Sequence, residues 1–154
     1  MKNLFLLYSL ILIGSFSFAQ NESNRKATFN IEESVGIQGY DPVAYFVQSK
    51  AVKGKSEFSV NYEGVKYYFS SAENKEMFLK KPSKYEPAYG GWCAYAMGET
   101  GEKVSVNPKT FKIVNGNLYL FYNVFFNNTL KDWNKNETQL KFKADKNWKK
   151  IAQH

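Results

Sequence analysis

The stretch Pro-Ala-Tyr-Gly-Gly-Trp-Cys-Ala-Tyr-Ala-Met at residues 87–97 is the part of the sequence around which the rest of the chain is organised. It contains the single cysteine of the chain, Cys93. The pair Gly90-Gly91 lets the backbone adopt positive φ or pass close to another group. We expect a helix over residues 90–97, and Met97 lies four residues after the cysteine, so both sulfur atoms would lie on one helix face. The stretch is therefore the first candidate for a site.

The N-terminal part of the sequence has the pattern of a signal peptide, which we assign to residues 1–19. Lys2 precedes an apolar run at residues 4–13, and the small residues Ser17 and Ala19 form an expected cleavage site. The apolar run is shorter than the ~20 residues that a membrane-spanning helix needs. We therefore expect a periplasmic or secreted protein with no membrane span after cleavage.

The remaining chain has the length of one domain. Residues 20–34 are mostly polar at their start and are predicted to form a flexible lead-in, and residues 35–154 form the predicted domain. Cleavage lowers the formal net charge from +7 to +6, because residues 1–19 contain one lysine and no acid. No nucleic-acid motif accompanies this charge, so we interpret the lysines as a solvated surface and expect no nucleic-acid partner. The aromatic content of 18% indicates a dense core.

Several classes of enzyme are excluded by composition. With one cysteine, the chain cannot form an internal disulfide. The only histidine is His154, so a catalytic triad would depend on a terminal residue, and a zinc site with several histidines cannot form within one chain. No phosphate loop, metalloprotease helix or dinucleotide fingerprint is present. These absences from the sequence favour a role that is not enzymatic.

Apolar residues that alternate with polar ones predict two β-hairpins. Residues 58–62 and 65–69 alternate on either side of Glu63-Gly64, which is a two-residue connection. Asn115-Gly116 lies between two further alternating runs, and Asn-Gly in this position is the strongest short-range signal for a hairpin.

Helices are predicted on both sides of these hairpins. Asp41 is expected to cap a short helix at residues 43–47. Ser70 or Ser71 is expected to cap a longer helix, with a capping box between Ser70 and the glutamate three residues later, and this helix should end before Pro82.

The last third of the chain is predicted to be helical, because its apolar residues are spaced three and four apart. One helix would carry Phe126, Leu130 and Trp133, and the next would carry Leu140, Ala144, Trp148 and Ile151. We therefore predict an α+β domain, in which a small antiparallel sheet built from hairpins is covered by short helices and followed by two C-terminal helices.

Fragments in a fixed order resemble a YHS domain of the exported, stand-alone type. The resemblance runs from about Ile37 to Trp148. The fragments are Gly39–Phe46, Tyr62–Ser71 and Tyr89–Ala94, with Asn74, Phe78, Pro82 and Tyr85 between the last two.

The resemblance implies the fold of small cysteine-bearing metal modules found in copper-pump and heavy-metal proteins. In those relatives, cysteines after an Asp-Pro-Val segment and after a Tyr-Tyr-Phe segment supply metal ligands, with a further cysteine four residues later. The corresponding positions here are Ala44, Ser70 and Asn74, and Phe69 stands where the namesake histidine would be. The resemblance therefore implies the family's fold for this chain, but it does not imply the family's metal ligands.

The remaining candidate site consists of Cys93 and Met97 as metal ligands, with Tyr40, Asp41 and Tyr89 around a ligand. Thiolate and thioether donors suit Cu(I), so a copper ion is one candidate, and the sequence leaves the identity of the metal open. The first hypothesis is a non-enzymatic module that binds a metal ion or a small ligand. The second is a thiol redox protein with one reactive cysteine. The third is a scaffold that binds a protein partner and has lost the metal site of the family.

Each of these residues also has a structural interpretation. An unpaired cysteine is often buried in a packed helix, and Met97 can fill a core. Asp41 before a proline is typical of a cap or turn, and tyrosines often form the amphipathic rim of a core. The accessibility of the Cys93 sulfur separates the hypotheses. The sequence leaves the identity of the ligand and the oligomeric state open.

Overall fold

The computed structural model describes residues 20–153, so the predicted signal peptide and His154 lie outside the described residues. The described chain has the α+β architecture predicted from the sequence, with short helices packed on small sheets. In this part of the chain, no helix is both long enough and apolar enough to cross a membrane.

Residues 20–28 form the first described helix, α1, within the segment 20–34 that was predicted to be a flexible lead-in. The helix is attached to the domain by polar contacts. Arg25 Nη2 lies 2.5 Å from Glu86 Oε1, and the indole of Trp92 donates to the carbonyl of the last residue of α1 at 2.6 Å. The prediction missed α1 because these contacts are distant in sequence and leave no apolar periodicity.

The first sheet has four strands in the order β1-β2-β4-β3, with β2 parallel to β4 and the other pairs antiparallel. The hairpin predicted around Glu63-Gly64 is confirmed, because Tyr62 pairs with Val65. Alternate residues of its second strand, from Val65 to Phe69, are buried. The strands are β1 (Ile31–Glu32), β2 (Val35–Gly36), β3 (Lys55–Tyr62) and β4 (Val65–Phe69).

Three helices accompany this sheet: α2 (Ala44–Val47), α3 (Ala72–Lys80) and α4 (Pro82–Tyr85). The predicted end of α3 before the proline is confirmed. Ser71 caps α3, because its hydroxyl accepts a hydrogen bond from the Asn74 N–H at 3.2 Å. The capping box expected from Ser70 does not form, since that hydroxyl is bonded elsewhere.

The central stretch is irregular before it becomes helical. A 3-10 turn at Ala88–Gly91 is followed by α5 (Ala94–Glu99), so the helix begins four residues later than predicted. The pair Gly90-Gly91 has φ values of 60° and 84°, which an α-helix does not allow. Gly98, which lies one residue beyond the predicted helix, is inside α5, where an added Cβ would be 2.5 Å from the Leu140 carbonyl oxygen.

The second half contains two antiparallel hairpins followed by two helices. The predicted hairpin at Asn115-Gly116 is confirmed, with Val114 paired with Asn117. Phe126 was wrongly predicted to be helical, because the side chain of Asn128 caps the next helix and thereby makes it start later. The elements are β5 (Asn107–Val114), β6 (Asn117–Phe121), β7 (Asn123–Val124), β8 (Asn127–Asn128), α6 (Thr129–Lys135) and α7 (Glu137–Ala152).

Two hydrophobic clusters form the core, and α5 lies where they meet. The first cluster lies against the four-stranded sheet and contains Phe69, Phe78 and Cys93. The second lies among α5, α6 and α7 and contains Met97 and Trp133. The two sulfur-containing residues of the central stretch therefore belong to different clusters.

Candidate functional site

Asp41 is completely buried and lies at the centre of a hydrogen-bond network. Its Oδ1 accepts from the backbone N–H groups of Val43 at 2.8 Å and Ala44 at 3.2 Å, at the start of α2. Its Oδ2 accepts from the Ser70 N–H at 2.7 Å, the Ser70 hydroxyl at 2.6 Å and the Asn74 amide at 2.7 Å. A carboxylate has about four lone-pair sites, so these five bonds leave no acceptor capacity for a ligand.

The same network occupies the positions that the family resemblance relates to metal-ligating cysteines. Ala44 offers a methyl group, while the hydroxyl of Ser70 and the amide of Asn74 both donate to Asp41. Within residues 20–153, no group of three or more His, Cys, Asp or Glu side chains is placed to hold a metal ion. The residues at these positions therefore do not fit a metal centre.

Cys93 is also completely buried, and its sulfur belongs to a closed ring of three hydrogen bonds. The Tyr122 N–H donates to Sγ at 3.3 Å, and the Thr129 hydroxyl donates to the Tyr122 carbonyl at 2.9 Å. The Thr129 proton is thus already used, so the thiol S–H donates to Thr129 Oγ1 across 3.4 Å. In this arrangement the sulfur accepts one hydrogen bond and donates another, both within the protein.

A cavity of about 320 Å³ lies directly over this ring, and Cys93 is part of its floor. Tyr95, Ala96 and Val104 belong to its wall, and Tyr122 and Thr129 of the ring also line it. Its rim carries two exposed carboxylates, Glu99 and Glu102. We call this space the Cys93 cavity.

The other predicted site residues do not lie at the Cys93 cavity. Cys93 precedes the first residue of α5 and has a ψ of 116°, so the helical spacing to Met97 does not place the two side chains on one face. Met97 is instead buried in the second cluster. Tyr40 has the Lys53 ammonium 4.4 Å from the centre of its ring, and Asp41 is held in its own network. The structure therefore separates the residues that the sequence grouped.

Tyr89 lines a second cavity of about 350 Å³, together with Phe29 and Trp148. Its hydroxyl donates to Asp145 Oδ1 at 2.8 Å, and the other oxygen of that carboxylate accepts from Lys141 at 2.7 Å. Burial, followed by the Asp145 contact, raises the pKa of Tyr89 above its usual value. Sequence analysis missed the Lys141–Asp145 pair, because an i,i+4 pair on a lysine-rich helix is typical of a solvated face.

The fold and these sites define an α+β domain with one closed polar network and separate cavities. The family model of the YHS domain matches residues 43–89. The match confirms the resemblance to a YHS domain over this segment, which covers α2, the β3–β4 hairpin, α3 and α4. It ends four residues before Cys93. No curated protein and no solved structure matches the chain.

Proposed function

We propose that this protein is a non-enzymatic binding module of the periplasm or the cell exterior, which takes a small organic ligand in the Cys93 cavity. The observation that carries the proposal is the space of about 320 Å³ over a buried sulfur. The lining residues lie outside the segment matched by the YHS domain. The YHS segment would then be the structural frame, and the second half of the domain would provide the site.

The lining of the cavity favours a small aromatic or aliphatic amine. Its volume is at the lower end of the ~300–1,000 Å³ usual for ligand pockets. Tyr95 and Tyr122 offer aromatic rings, which attract an organic cation. Glu99 and Glu102 place two carboxylates at the rim of a chain whose formal net charge is +7. A ligand with an apolar group against the cavity wall and an ammonium group at the rim would match both the aromatic lining and the two carboxylates.

The metal and redox alternatives receive less support from the same residues. A Cu(I) site at Cys93 would have to break the hydrogen bonds of the sulfur to Tyr122 and Thr129, and Met97 lies in another cluster. A reactive thiol requires access and thiolate character, whereas Cys93 is completely buried. Binding of an organic ligand in the cavity requires neither the loss of these hydrogen bonds nor exposure of the thiol.

The proposal is tested with three probes of similar shape and different charge: phenethylamine, 2-phenylethanol and phenylacetate. Amide chemical shifts are followed by NMR during each titration. We expect the amine to perturb the cavity residues Tyr95, Tyr122 and Thr129, the alcohol to bind more weakly and the carboxylate not to bind. The order follows from the two carboxylates at the rim.

A matched pair of substitutions locates the binding. Ala96→Leu fills the Cys93 cavity, and Ala88→Leu places the same side chain in the cavity beside Tyr89. Binding should be lost in the first variant and kept in the second. The proposal fails if no probe perturbs these residues or if both variants bind equally. Stoichiometric uptake of Cu(I) that Cys93→Ser abolishes would favour the metal alternative.

A further inference from the structure

Two phenylalanines form the turn between β7 and β8 and are almost fully exposed. The side chains of Phe125 and Phe126 have relative exposures of 96% and 104%, and Val124 before them is 41% exposed. We call Phe125–Phe126 the Phe-Phe tip. Contiguous exposed apolar surface of this kind marks sites of interaction.

Folding does not explain why phenylalanine occupies this turn. Two-residue hairpin turns favour Asn-Gly and similar pairs because they need positive φ. The β5–β6 hairpin of the same chain follows this rule, with φ values of 51° at Asn115 and 76° at Gly116. Phe125 adopts a φ of 53°, which is strained for a bulky residue. The tip has neither favourable turn chemistry nor burial, so its side chains fit a contact outside the chain.

The chain segment that contains the tip is rich in lysine, although Asn127, directly after the tip, lines the Cys93 cavity together with the exposed carboxylates Glu99 and Glu102. No acidic residue lies between Glu102 and Asp132, whereas four lysines do. Lys109 and Lys131 are exposed, and neither takes part in an ion pair among residues 20–153. The lysines of this segment are Lys103, Lys109, Lys112 and Lys131.

Two of these lysines lie near the base of the hairpin. The Asn123 side chain donates to the Thr110 hydroxyl at 2.9 Å, which places Lys109 beside the start of β7. Lys131 is in the first turn of α6, directly after β8. Charge and exposed aromatic surface therefore occur in the same part of the molecule.

We propose that the Phe-Phe tip anchors the protein to the surface of an anionic lipid bilayer. Phenylalanine side chains partition into the boundary between headgroups and acyl chains, and lysines near the surface are attracted to anionic headgroups. The tip inserts shallowly, and Lys109 and Lys131 lie against the headgroups.

Co-sedimentation with vesicles tests the proposal. The vesicles are either a mixture of phosphatidylglycerol and phosphatidylcholine or phosphatidylcholine alone. Both the full chain and a chain that begins at Gln20 are used, because the second lacks the apolar residues 1–19 but keeps both core clusters. Wild-type protein in either form should bind the anionic vesicles more tightly than the neutral ones.

The informative variant is Phe125→Asn/Phe126→Gly, because Asn-Gly preserves the hairpin that the fold needs. We expect its affinity for anionic vesicles to fall at least about tenfold in the chain that begins at Gln20, since burying one phenylalanine is worth about that factor or more. Phe142→Ser is the matched control, because Phe142 is 72% exposed on α7. This control should bind like the wild type. Lys109→Gln/Lys131→Gln should reduce the preference for anionic vesicles.

Three results would overturn the proposal. The first is equal binding by the tip variant and the wild type, with circular dichroism showing that both are folded. The second is binding that occurs only when residues 1–19 are present. The third is a wild-type dimer that forms without vesicles and dissociates in the tip variant, which would make the tip a contact between two copies of the chain.

Discussion

Asp41 and Cys93 are both completely buried, and the sequence placed them in one site, yet their surroundings differ. Asp41 accepts five hydrogen bonds of 2.6 to 3.2 Å from backbone and side-chain donors. Cys93 takes part in two weaker sulfur contacts of 3.3 and 3.4 Å and lies under a cavity of about 320 Å³. A buried polar group whose hydrogen-bonding sites are all occupied stabilises the fold. A buried polar group beside a cavity leaves room for a ligand.

The difference between the surroundings of Asp41 and Cys93 coincides with the boundary of the family match. The partners of Asp41 directly after β4 and in α3 lie inside the matched segment, at residues 43–89, and the Cys93 cavity lies beyond it. The network joins α2, the end of β4 and α3, which are distant in sequence. The matched segment is thus stabilised by hydrogen bonds at positions where the resemblance implies metal ligands in relatives.

The largest effect is expected from Asp41→Ala. This change removes the acceptor of five hydrogen bonds and leaves buried donors of Ser70 and Asn74 without a partner. Since each unsatisfied buried group costs about 1–3 kcal/mol, we expect a loss of about 3–5 kcal/mol in the free energy of unfolding. Urea denaturation measures it. Asp132→Ala is the control, because that carboxylate is partly exposed and, among residues 20–153, forms an ion pair with Lys135 alone, and it should cost less than about 1 kcal/mol. If Asp41→Ala lowered the free energy of unfolding by less than about 1 kcal/mol, the network would not be required for stability.

Alkaline pH should produce the next largest effect. Burial raises the pKa of Tyr45 in α2, next to Asp41, and burial with the charge of Glu86 raises that of Tyr67 well above the usual value. Unfolded tyrosine loses its proton near pH 10, whereas the folded side chains keep theirs, so the unfolded state binds fewer protons above this pH. Stability is therefore fully present below pH 10 and falls above it.

The expected slope for each such tyrosine is close to zero at pH 8 and 9 and approaches about 1.4 kcal/mol per pH unit above pH 10. Urea denaturation at pH 8, 9 and 10.5 measures the free energy of unfolding. Tyr45→Phe should reduce its fall with pH by the contribution of one tyrosine. This variant also loses the hydrogen bond of 2.8 Å to the Pro108 carbonyl, so the slopes, not the absolute stabilities, are compared. A slope that Tyr45→Phe leaves unchanged would contradict the assignment.

Local patterns in the sequence predicted the hairpins and the α+β class. Alternation and turn residues act over a few positions, so Glu63-Gly64 and Asn115-Gly116 determine the hairpins directly. The helix α1 was missed because it is held by Arg25 and other residues whose partners are distant in sequence.

Of the five predicted site residues, only Cys93 lines the candidate cavity. The spacing of Cys93 and Met97 implied a shared face only if the helix included both, and α5 starts at Ala94. The Asn-Asn-Thr segment at residues 127–129 gave no reason to expect Thr129 beside the sulfur, since that contact depends on how the β7–β8 hairpin folds back. Sequence analysis therefore identified Cys93, whereas the residues that line the cavity around it depend on the tertiary structure.

The smallest effect is expected from Cys93→Ala. This change leaves the Tyr122 N–H and the Thr129 hydroxyl oxygen without the sulfur, but the adjoining cavity allows water to reach the vacated position. We therefore expect a loss of about 1–2 kcal/mol, well below that of Asp41→Ala. Thr129→Val, which keeps the shape and removes the hydroxyl, should cost about the same, because it opens the same ring at another bond. Urea denaturation of all three variants measures the difference. Should Cys93→Ala cost as much as Asp41→Ala, the sulfur would be as tightly enclosed as the carboxylate, and the cavity above it would not be open to water or to a ligand.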